Sequence, residues 1–103
     1  MYNPAGTKKE RQATIKELLA VDSRWAIRGL LAIYKYQTLE EQNVEGVVEH
    51  NGVGFTSADG EILTSFAKQV ESGRTMSQKQ MVLIHKKLPK YAGQLVRIVD
   101  RKQ

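Results

Sequence analysis

The sequence contains no cysteine. That removes disulfides, thiolate nucleophiles and zinc sites of the cysteine type, and it fits a reducing cytosol. Histidine is almost as scarce. His50 and His85 are the only two, and their separation is not ligand-like spacing. Long apolar runs are missing too. The longest, around Trp25 to Tyr34, is interrupted by Arg28 and is too short to span a bilayer. Met1 to Glu10 carries charge and lacks an apolar core, so no secretory signal is expected there. Neither a P-loop nor a dinucleotide fingerprint occurs, and no internal repeat or low-complexity segment is visible. The absences point to a cytoplasmic protein that is not an enzyme and uses no metal, cofactor or membrane.

What is present is one domain's worth of chain, 103 residues with 41% hydrophobic content. That suffices for a modest core. The net charge of +5 hides a pattern. Residues 1–37 carry +4, residues 38–72 carry −6 and residues 73–103 carry +7. Basic ends around an acidic middle suit a polyanionic partner, or association between unlike regions.

The expected fold is mainly α, about five short helices around one core. Residues 1–7 read as a flexible N-terminus and residues 8–103 as a single helical domain. Thr7, with Glu10 three positions on, has capping-box spacing for a first helix to about Val21. Ile15, Leu18 and Leu19 form its apolar face. Asp22 or Ser23 can cap a second helix, Arg24 to about Gln37. Ile27, Leu30, Leu31 and Tyr34 share one of its faces. Trp25 and Phe55 are expected in the core. Thr38 to Gly46 reads as an acidic loop. Around residues 47–56, Asn51-Gly52 between two β-prone runs allows a small hairpin; an irregular loop shaped by Gly46, Gly52 and Gly54 fits equally well. Thr56 or Ser57 can cap a third helix, about Ala58 to Ser72, with Ile62, Leu63, Phe66, Ala67 and Val70 inward and Gly73 as its stop. Ser77 and Gln80 suggest a capping box for a fourth. A fifth starts at Pro89, which suits a first helical turn, and runs to about Asp100.

The last two helices carry the clearest charge geometry. Met81, Ile84 and Leu88 face one way on the fourth, with Lys79 and Lys86 opposite. On the fifth, Tyr91, Leu95 and Ile98 make the core face. Lys90, Gln94, Arg97 and Arg101 follow i, i+4, i+7, i+11, a stripe within roughly 60° on a regular helix. Lys87 and Lys102 add charge nearby. Such a pair of helices can track a phosphate backbone in a salt-sensitive way, with Gln94 adding a hydrogen bond to phosphate or base edge. Arg24, Arg28 and Lys35 form a second stripe on the second helix, where Arg24 and Arg28 offer another contact surface. The competing reading is a solvated basic face. No aromatic interleaves the stripe, so a single-strand stacking platform is not indicated. His50 reads as a turn residue and His85 as a helix-flank residue; with Asp59 or Glu49 they make only a weak acid–base or metal candidate. Gly52 and Gly54 allow backbone amides to approach an anion.

The ordered set His50-Asn51-Gly52-Val53-Gly54-Phe55, Asp59, Leu63-Thr64-Ser65-Phe66-Ala67-Lys68-Gln69, Ser77-Gln78-Lys79-Gln80 and Lys90-Tyr91-Ala92-Gly93-Gln94-Leu95 resembles a small uncharacterised family of phage and prophage proteins. Similar segments accompany phage helicase-like proteins. The resemblance covers about residues 37–98. It implies a phage setting without a mechanism, and singles out Gln42, Asn51, Asp59, Gln69, Lys79, Gln80, Lys90, Tyr91 and Gln94. Helix caps and buried hydrogen bonds are one explanation for several of them. The expectation is therefore a phage-encoded nucleic-acid-binding accessory protein in the host cell, with DNA the expected form. The alternative is a protein-binding module, such as an inhibitor of a host defence enzyme. A third reading is a small-ligand binder using the Asn51 to Phe55 loop.

Overall fold

Local capping chemistry sets most of the helix starts. In the computed structural model, which describes residues 6–42 and 54–101, helix α1 spans Lys8–Val21. The Thr7 side chain accepts the Glu10 backbone N–H at 3.1 Å, satisfying one of the donors that every helix start leaves open. At the corner after α1, Asp22 Oδ1 accepts the Arg24 N–H at 2.9 Å. Asp22, rather than Ser23, is thus the residue that starts α2, Ser23–Gln42.

Helix α3 spans Gly60–Glu71, two residues shorter at its start than the sequence suggests. Asp59 holds the cap position but makes no capping bond, because its carboxylate is engaged elsewhere. Residues 56–60 instead form a turn, with the Thr56 carbonyl accepting the Asp59 and Gly60 N–H groups. Helix α4, Gln78–Lys87, opens with the expected capping box between Ser77 and Gln80.

The expected fifth helix from Pro89 needs correction. Leu88–Tyr91 is a 3-10 helix, and only then does α5, Ala92–Arg101, begin. The hairpin expected near residues 47–56 falls mostly outside the described residues. Gly54, Phe55 and Thr56 lie inside them and form no strand. Among the described residues the fold is mainly helical, and no helix is long and apolar enough to cross a membrane.

Helix α2 touches every other helix and runs through the middle of the molecule. Among its described side chains, Ala26, Leu30 and Ile33 are fully buried. The face expected from Ile27, Leu31 and Tyr34 is only half-buried, as are Trp25 and Phe55. Burial of a side chain such as Leu30 contributes about 1.5–3 kcal/mol. Gly29 permits the central crossing. A Cβ there would stand 2.9 Å from Leu19 Cδ2 and 3.0 Å from Leu95 Cδ1, closer than carbon atoms pack. Helix α1 seals against α5 in the widest helix–helix contact, whereas among the described helices α3 packs mainly against α2.

Candidate nucleic-acid interface

Three of the expected phosphate contacts point inward. Asp59 is 2% exposed, and a buried carboxylate is costly unless paired and hydrogen-bonded. Lys87 Nζ donates to Asp59 Oδ1 at 3.0 Å, Lys90 pairs with Oδ2, and the Tyr91 hydroxyl donates to Oδ2 at 2.9 Å. Burial acts most strongly on this carboxyl and pushes its pKa up. Hydrogen bonds from Lys90, Lys87 and Tyr91, with the charge of Lys90, together outweigh it and hold the group well below the usual carboxylate range. The hydrogen bond to Asp59 raises Lys90 above an ordinary lysine.

The network continues along the chain entering α3. The Tyr91 phenol oxygen accepts the Thr56 N–H at 3.1 Å, and the Tyr91 ring meets Phe55 edge-on at 5.8 Å between centroids. Gln94 pairs with the Gly54 backbone at both ends of its amide. It accepts the Gly54 N–H at 2.9 Å and donates to the Gly54 carbonyl at 3.1 Å. Gln37 accepts the Phe55 N–H at 2.8 Å. Residues 54–59 are thereby stitched to α2, the 3-10 helix and α5. Both Asp59 oxygens accept from donors, and the cluster clamps this segment in place.

The same chemistry accounts for most of the polar residues singled out by the resemblance. Asp59, Lys90, Tyr91 and Gln94 belong to the clamp. Gln80 donates to Gln69 at 3.2 Å, tying the start of α4 to α3. Gln69 in turn donates to Ser65 at 3.2 Å. Lys79 is exposed. Asn51 and the Gln42 side chain lie outside the described residues.

The expected stripe does not form as drawn, although the 3-10 helix at Leu88–Tyr91 is only a small part of the reason. It turns Lys90 by only about 40° relative to a regular helix. What withdraws Lys90 and Gln94 from the stripe is their engagement by Asp59 and the Gly54 backbone. Lys79 and Lys86 on α4, Arg24 and Arg28 on α2, and Arg97 on α5 are exposed. The Arg101 side chain and Lys102 lie outside the described residues. His85 draws α4 onto the α1–α2 corner. Its Nδ1 lies 2.8 Å from the Leu19 carbonyl, which can only accept, so Nδ1 carries the proton. Its Nε2 lies 3.3 Å from Ser23 Oγ. Arg24 and Lys86 follow these bonded residues directly and flank the same junction. His50 lies outside the described residues. Among those described, no three His, Asp or Glu side chains gather as a metal site.

Cations on α1 were missed in the sequence. Lys8, Lys9 and Lys16 are exposed, and none pairs with a described acidic side chain. Lys8, Gln12 and Lys16 follow i, i+4, i+8, a single row along the helix. Gln12 lies against Gly93 of α5, 3.5 Å from the point where a Cβ would stand. Arg97 is one turn beyond Gly93. Gln12 thus brings the middle of the α1 row against α5 one turn before Arg97, a contact that only the tertiary packing reveals. Compared with protein-family models, curated proteins and solved structures, the chain matches none.

Proposed function

We propose that the protein is a nucleic-acid-binding accessory module whose phosphate-contacting face is built by α1 and α5 together. The observation that carries this reading is the seam between Gln12 and Gly93, which brings the helix bearing Lys8 and Lys16 against α5 one turn before Arg97. Lys79 and Lys86 on α4, and Arg24 at its junction with α2, supply further exposed cations. Lys87, Lys90 and Gln94 are left out of the contact set because the clamp uses them. The phage setting belongs to the same proposal and rests on the ordered motif set.

The test is a titration of labelled single- and double-stranded DNA and RNA at several salt concentrations. Wild type is compared with Lys8→Ala/Lys9→Ala/Lys16→Ala and with Arg97→Ala/Arg101→Ala. Binding should weaken with salt, and each lost phosphate contact should lower the log–log salt slope by about 1. Absence of binding at low salt, or an unchanged slope in both variants, would overturn the reading.

A further inference from the structure

A half-open cleft of about 440 Å³ lies between α2 and α5, and the nucleic-acid reading makes no use of it. Trp25, Leu31 and Ala32 line it from α2, and Leu95, Ile98 and Val99 from α5. Gly29 and Ile15 also contribute to its lining. This lining is apolar and offers no row of donors for phosphates.

The exceptions are Arg28 and Lys35, which also line the cleft. Both are exposed, and neither pairs with a described acidic residue. They stand seven residues apart on α2, two turns and about 10 Å along its axis. An apolar trough with two unneutralised cations two turns apart has the inverse pattern of one particular ligand. That ligand is an amphipathic helix with apolar residues on one face and carboxylates two turns apart beside it. A fatty acid would fill the trough but has a single carboxylate, leaving the second cation without a partner.

We propose that this cleft is a docking groove for an acidic amphipathic helix of a partner protein. The partner's apolar face enters between α2 and α5, and its carboxylates pair with Arg28 and Lys35. This inference is independent of phosphate binding by α1. Trp25 is the only tryptophan in the chain and lines the groove, so its emission reports occupancy directly.

The test selects a displayed library of ~18-residue amphipathic helices, ~27 Å long, against the full-length protein. The positions flanking the apolar face are varied among Glu, Ala and Lys. Selected peptides are then titrated while Trp25 emission is followed. Wild type should enrich helices with Glu seven positions apart. These should shift the Trp25 emission and bind at least tenfold more weakly to Arg28→Glu/Lys35→Glu. The reversed protein should select Lys at the same positions. Both substituted residues are exposed, and circular dichroism checks that the variant is folded. Selection indifferent to charge, failure to enrich any helix, or an emission change produced by dodecanoate but by no selected peptide would overturn the proposal.

Discussion

Lys87 reaches back across 28 residues of sequence to place its ammonium 3.0 Å from Oδ1 of Asp59. A lysine that reads as a surface cation is therefore part of the internal structure. Its side chain is 28% exposed against 3% for Asp59, so the buried partner has more to lose when the pair is broken. Asp59→Asn should cost about 2–3 kcal/mol, the scale of hydrogen bonds to a buried charge. A lower urea midpoint at unchanged slope is the measurement. Lys90→Ala should cost less than Lys87→Ala, because the Lys90 side chain is half exposed and water can replace it.

Stability should fall in acid. The Asp59 pKa is depressed in the folded protein. Its contribution is then complete above the ordinary carboxylate value of about 4 and is lost as pH drops further toward the folded value. Urea unfolding between about pH 5 and pH 2 should show this loss in wild type. Asp59→Asn should lack that part of the dependence.

Gln94→Ala should separate structure from binding. It removes both amide bonds to Gly54, for a cost of about 1–2 kcal/mol. The salt slope of nucleic-acid binding should stay at the wild-type value. A lowered slope with unchanged stability would return Gln94 to the phosphate-contact set.

At Gly29, two effects oppose each other. Alanine favours the helix by about 1 kcal/mol. The added carbon meets Leu19 and Leu95, and overpacking costs about 1–3 kcal/mol. Leu95 borders the cleft and has room to yield on that side; Leu19 is fully buried. Gly29→Ala should lose about 1 kcal/mol, and methyl NMR shifts should be largest at these two leucines.

Features set by neighbours in sequence were legible beforehand. The capping residues Thr7 and Ser77, the apolar face of α3 and the stop at Gly73 all depend on positions within one or two turns. The inward face of α2 was legible only in part, through Leu30. This helix is apolar on several sides, from Trp25 through Tyr34, and only its neighbours decide that Ala26 and Ile33 are buried while Ile27 and Leu31 are not. The clamp was illegible for a related reason. Its members are single residues dispersed between Gln37 and Gln94, each with an ordinary local explanation. Lys90 and Gln94 fit a surface stripe by their spacing, and only the fold brings Asp59 and the Gly54 backbone within their reach. Lys8 and Lys16 were visible as cations, but that their helix packs against α5 depends on contact between distant segments.

That packing also shapes how the molecule is assembled. Bringing α1 against α5 closes nearly the whole chain into a loop, and the loss of chain freedom must be met before the contact returns any stabilisation. Most small helical proteins fold fast because their contacts are local. Here the widest helix contact is among the most distant in sequence. The protein should therefore fold slowly for a helical domain of its size, and α1 should gain hydrogen-exchange protection together with α5, not ahead of it.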